Sequence, residues 1–149
     1  MGDETAGGGP ALFRVVRFWS RRWAGQAAAD VTGEQRRLQD IQVLEAVDAA
    51  GVEVTVADVA HQLGIDRSGA SRFVGDAVDH GYLRRDSAAR DARRAVLSVT
   101  PAGRDLLDGA HAWQERTFDE LTAGWPATDA ATFARYLQRL ATELTNGRA

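Results

Sequence analysis

Arg67, Ser68, Ser71 and Arg72 stand within six residues of one another, and RRDSAARDARR at 84–94 adds five arginines in eleven positions. On a helix the first four residues share one face. Their chemistry is that of donors: guanidinium forks that grip guanine edges or phosphates, with short hydroxyls between them. The same residue types also furnish ordinary solvated surface, so the elements around them must decide. No competing catalytic constellation is present. His61, His80 and His111 are scattered, and Asp58 with His61 at i+3 reads more readily as a local helix interaction than as a ligand pair. Ser68 and Ser71 have no base nearby in sequence. Cysteine is absent, which removes disulfides, thiolate metal sites and cysteine nucleophiles. The expectation is a protein that is not an enzyme, with no catalytic, metal-binding or cofactor-binding residues.

Charge sharpens the reading of the arginines. The 149-residue chain has a net charge of −3, and all 18 of its basic residues are arginine. Residues 30–58 carry −5, whereas residues 59–104 carry +3. One basic segment inside an acidic chain is a local footprint for a polyanion. At 44% hydrophobic and 26% charged, the composition fits one globular domain. No apolar run is long enough to span a membrane. The acidic, glycine-rich start, MGDETAGGGP, is unlike a secretory leader. The expected location is cytoplasmic.

The elements that position these residues are punctuated by caps and glycines. A helix from Pro10 carries Leu12, Val16, Trp19 and Trp23, with Phe13 and Phe18 widening its apolar surface. Thr32 to Gln35 has the form of a capping box, opening a helix with Leu38, Ile41, Leu44 and Val47 on one face, stopped by Gly51. Val52 to Val54 is a short strand candidate. Thr55 to Asp58 is a second capping box, and Gly64 ends its short helix. Asp66 caps the next helix, which runs to His80 and Gly81. Strands are predicted at Tyr82–Arg85 and Ala95–Val99, with Ser87 to Ala89 as a pliable tip between them. Thr100-Pro101 restarts a long helix, ended by Gly124-Trp125-Pro126, and Thr128 caps a last helix.

Residues 55–81 have the spacing of a helix-turn-helix, with small Ala60 at the crossing and Gly64 in the turn. The second helix splits into an apolar face, Ala70, Phe73, Val74, Ala77 and Val78, and an outward face of Arg67, Ser68, Ser71, Arg72 and Gly75. Gly69 and Gly75 each cost about 1 kcal/mol against alanine inside a helix. Asp76 and Asp79 put negative charge on its C-terminal half, so contact is expected at 67–72. The strand–loop–strand that follows is a wing. Arg93 is the residue expected to approach a narrow minor groove, with Asp91 at i−2 pairing with it and orienting its guanidinium. Arg90 and Arg94 add phosphate contacts.

Asp91-Ala92-Arg93, the strand through Val99, and Thr100-Pro101-Ala102-Gly103 resemble the wing and exit signature of the MarR family of transcriptional regulators. So do Ala60 to Leu63, Gly64, Asp66-Arg67-Ser68, Ser71-Arg72 and Gly81 to Arg85. The resemblance is strong over 36–103 and extends to both termini by element order. It implies a mainly α (α+β) winged helix-turn-helix with a two- to three-stranded wing and terminal dimerisation helices. It also implies a homodimer on a pseudo-palindromic operator in double-stranded DNA. Ala92, Gly69 and Val99 depart from the family pattern, and operator preference is not carried over.

The expected organisation is a disordered tail over 1–9 and a single domain over 10–149. Within it, 30–103 forms the DNA-binding lobe, and 10–29 with 104–149 form the dimerisation helices. The terminal aromatic residues themselves argue for a two-fold interface, because a chain this size has little other use for so many apolar peripheral helices. The family often binds small aromatic acids in a crevice between dimer helices and lobe, which makes Trp19, Trp23 and Trp113 candidates to line it for a small aromatic effector. The expected function is a sequence-specific regulator, a repressor. The alternative is a winged-helix protein-docking module, which would lack DNA sequence preference.

Overall fold

The computed structural model describes residues 6–29, 34–88, 90–91 and 93–147, with side chains described outside 21–37. The expected capping box at Thr32, the Trp23 side chain and Ala92 lie outside the described residues. Two compact units divide the chain, residues 1–38 and 39–149. The first contains α1 (Gly8–Ala29), which begins two residues before Pro10. Leu12, Phe13, Val15, Val16 and Phe18 on α1 are all exposed. Trp19 packs edge-on against Phe18, with ring centroids 5.7 Å apart. The start of α2 (Glu34–Ala50) completes this unit.

The second unit holds the rest of α2, then α3 (Val56–Leu63), α4 (Arg67–Asp79), β1 (Leu83–Ser87), β2 (Ala95–Val99), α5 (Pro101–Thr122) and α6 (Ala127–Thr145). Its core is a cluster in which Val43, Leu44 and Val47 of α2 meet Val59 of α3, Ala70 and Val74 of α4, Leu83, Leu97 and Leu107. The residues buried by α2 are 40, 43, 44, 46 and 47 rather than 38, 41, 44 and 47; Leu38 and Ile41 are only half-buried. Asp40 therefore sits in the apolar stripe.

The α3–α4 turn forms as its sequence dictates. Thr55 and Asp58 make a reciprocal capping box at the start of α3. Gly64 adopts φ +64°, a left-handed conformation that favours glycine, and its N–H and that of Ile65 return to the carbonyls of His61 and Ala60. Strands β1 and β2 pair antiparallel, Leu83 opposite Val99 and Arg85 opposite Leu97. A lone bridge from Val54 to Leu97 is all that forms of the Val52–Val54 strand, because Glu53 lies at φ +53° and breaks the extended run. The last helix also departs from expectation. Thr128 does not cap α6; the flanking residue is Pro126, with no side-chain cap bond. Proline's fixed φ starts the turn two residues too early for the threonine to serve.

Candidate nucleic-acid interface

Helix α4 is positioned by its cap, its buried side and two ties to α2. Asp66 accepts a hydrogen bond from the Gly69 N–H. A Cβ at residue 69 would stand 3.2 Å from the same Asp66 oxygen, so glycine leaves the capping carboxylate room. Ala70, Val74 and Ala77 are buried completely. That seating leaves Arg67, Ser68, Ser71 and Arg72 together on the exposed side. The Arg72 guanidinium lies 5.5 Å from the Phe73 ring centroid, a stacking that limits its freedom.

The ties to α2 escaped the sequence reading. Asp40, only 2% exposed, is hydrogen-bonded at 2.8 Å to Nδ1 of His80, the residue that closes α4. Burial pushes the Asp40 carboxyl above the ordinary carboxylate value, and the His80 hydrogen bond opposes that rise. Its other oxygen has no hydrogen-bond partner among the described residues. Alongside, the Gln39 amide donates to Asp76 at 2.9 Å. Asp76 is thus engaged with α2 and not simply set against the outward arginines. The available signal was an acid at position 40 on the i, i+3, i+4, i+7 apolar stripe, with a histidine just before a helix-ending glycine.

The wing is longer on its first strand than the sequence suggested. Ser87 pairs with Ala95, and Ala88 is buried, its N–H donating to the Arg94 carbonyl at 2.8 Å. Ser87 and Ala88 therefore belong to the ladder and its closure, not to a pliable tip. Arg90, Asp91, Arg93 and Arg94 are exposed at the turn. Asp91 accepts from the backbone N–H of Arg93 at 3.0 Å, and the Arg94 N–H donates to the Asp91 carbonyl at 3.0 Å. The aspartate thus grips the turn's backbone; the expected pairing with the Arg93 guanidinium is not the bond formed. Arg94 faces back far enough for its charge to help hold Asp58 of α3 below the ordinary carboxylate value, after the larger effect of the Thr55 hydrogen bonds. On one strand face Arg84 Nε donates to both Asp86 oxygens, at 3.1 and 2.9 Å, and Ser98 donates to the same carboxylate at 3.1 Å.

Trp113 on α5 is 45% exposed. A cavity of about 460 Å³ in the second unit is lined instead by Gln42, Glu45, Leu63, Ile65, Phe73 and Thr145, among others. Among the described residues, no three His, Asp or Glu side chains converge as a metal site would, and no helix is long and apolar enough to cross a membrane.

A helix-turn-helix whose second helix is followed by a two-stranded arginine-tipped hairpin defines the winged-helix class. Within that class, residues 35–94 match the model of the MarR family, so the resemblance drawn from the sequence is borne out. Solved structures of MarR-family regulators share the fold. One from Silicibacter pomeroyi superposes with a TM-score of 0.65 at 22% identity, over 89% of this chain and 85% of its own. The S. aureus MepR–DNA complex gives 0.58 at 18% identity, over 91% and 98%. CouR from Rhodococcus jostii, bound to p-coumaroyl-CoA, gives 0.56 at 23% identity, over 85% and 91%. No curated protein matches the chain in sequence.

Proposed function

We propose that this chain is a sequence-specific DNA-binding transcriptional regulator, a repressor that binds a pseudo-palindromic operator as a homodimer. The observation that carries the reading is the shared exposure of Arg67, Ser68, Ser71 and Arg72 on α4, next in chain to a wing with Arg90, Arg93 and Arg94 at its turn. The outward face of α4 enters the major groove, its N-terminal residues reaching base edges. Arg93 approaches the minor groove, where a narrow, electronegative channel favours arginine, and Asp91 holds the turn that presents it. Arg90 and Arg94 add phosphate contacts. The existence of a MepR–DNA complex on the same fold supports this use of the elements.

A small aromatic effector releases the DNA in this reading, in keeping with the ligand held by CouR. Trp19, Trp23 and Trp113 remain candidate contacts for it. The cavity in the second unit is a separate candidate seat for such a molecule, since Phe73 of α4 lines it; an occupant there would press on the recognition helix itself.

Selection of bound fragments from the source genome by the purified protein tests the proposal and yields the operator. Affinity for that operator should fall steeply with salt, by a slope of about 0.9 per phosphate contact, and exceed affinity for random DNA. Arg93→Ala should weaken binding while leaving fold and oligomeric state intact; unchanged affinity would remove the wing from the interface. A protein-docking module would enrich no sequence at all.

A further inference from the structure

Adjacent arginines at 84 and 85 look interchangeable in the sequence, yet the pleat of β1 sends them to opposite faces. Arg84 is neutralised by Asp86, which Ser98 also holds. Arg85 lies opposite Leu97, on the face that also carries buried Leu83. It forms no ion pair with another described residue. Its guanidinium instead reaches α4: Nη2 stands 4.0 Å from where a Cβ on Gly75 would be. Gly75 continues the outward row of Ser68, Ser71 and Arg72 by one helical turn. The position without a side chain is therefore the one over which an unneutralised cation rests.

We infer that Arg85, seated on Gly75 between the recognition helix and the wing, is a phosphate-binding residue of the DNA interface. The inference rests on the proposed DNA-binding function and adds a contact to it. A helix in the major groove and a wing at the adjoining minor groove straddle the sugar–phosphate strand that separates the two grooves. A cation held at the junction of helix and wing faces that strand. Set against the helix while still exposed, it is positioned before binding, which reduces the ordering cost of the contact. The glycine gives up about 1 kcal/mol of helix propensity relative to alanine and provides the seat.

The test is a salt titration of binding, to the selected operator and to unrelated DNA, by wild-type protein and five variants. Arg85→Ala should weaken both DNAs alike and lower the slope of log affinity against log salt by about one, as loss of one phosphate contact requires. Arg85→Lys should keep the slope. Gly75→Leu, a better helix former whose side chain fills the seat, should lose binding with Arg85 still present, and adding Arg85→Ala to it should cost little more. Arg84→Ala should keep the wild-type slope. A wild-type slope for Arg85→Ala, or an equal loss for Arg84→Ala, overturns the inference while the operator binding of the wild type still stands. Absence of salt-dependent binding by the wild type sinks the DNA-binding function itself, and this contact with it.

Discussion

Asp40 and His80 show how a single buried carboxylate fixes a recognition helix. Removing His80 leaves the Asp40 charge sealed among Val43, Leu44 and Val47 without its partner. His80→Ala should therefore lower stability by about 1–3 kcal/mol at neutral pH, the cost of an unsatisfied buried polar group. Asp40→Asn in the same background should recover part of that loss, and denaturant unfolding of the two variants checks both values. Asp58 makes a second, pH-dependent case. The Thr55 N–H and hydroxyl, each 2.8 Å from it, hold its carboxyl below the ordinary carboxylate value of about 3.8. The stability it contributes is present above about pH 3.8 and is lost as pH falls through the depressed folded value. Asp58→Asn should thus flatten the acid limb of stability against pH; an unchanged acid limb would separate the capping box from acid sensitivity. The two residues also differ in legibility. Thr55 and Asp58 are three positions apart, and local spacing sufficed to find their bond. Asp40 and His80 are 40 positions apart, and only tertiary packing brings them together.

At the scale of elements, the passage from wing to α5 shows why a short motif carries so much. Thr100 receives the Gly103 N–H at 3.1 Å as a helix cap and also donates its hydroxyl proton to the Gly81 carbonyl at 2.6 Å. Its N–H bonds to Tyr82 O at 3.1 Å. One residue thereby ties the end of β2, the start of α5 and the exit of α4. Gly103 is buried against the Tyr82 carbonyl, and a Cβ there would collide with that backbone group. Gly103→Ala should destabilise the fold by about 1–3 kcal/mol through overpacking, although alanine is the better helix former. Thermal unfolding decides between these signs: a raised midpoint would show that propensity outweighs the collision. Most elements were readable because caps and glycine turns act over three or four residues. The readings that changed are those where a neighbouring element intervenes. Val54 bridges Leu97 alone, Ala88 is drawn into the closure of the ladder by Arg94, and the buried stripe of α2 is rotated to include Asp40.

At the scale of the molecule, two helices carry rows of exposed apolar side chains. Helix α6 buries no residue, and Phe133, Tyr136, Leu137, Leu140 and Leu144 recur along it at three- and four-residue spacing, all exposed. It is partly covered where Phe133 stacks on Phe118 and packs against Trp125, at 5.9 and 5.3 Å, and at its end, where the Thr145 carbonyl lies 3.2 Å from His61 Nε2. Helix α1 independently exposes Phe13 at 63% and Phe18 at 51%. Exposed patches of this kind mark interaction surfaces, and a second copy of the chain is the occupant that the two-fold operator reading requires. The three- and four-residue spacing of Phe133, Leu137, Leu140 and Leu144 makes this surface legible in the sequence, and the structure adds Tyr136 to it. Sedimentation velocity should therefore find a dimer at micromolar concentration. Leu137→Arg, which sets a charge in the middle of the stripe, should yield a monomer. Dimer unfolding should shift to higher temperature with protein concentration, and that dependence should vanish in the variant. The monomer should retain a folded winged helix but bind the two operator half-sites independently, losing the affinity gained when both are engaged together. A wild-type chain that sediments as a monomer, or a Leu137→Arg variant that still sediments as a dimer, would move the interface off α6.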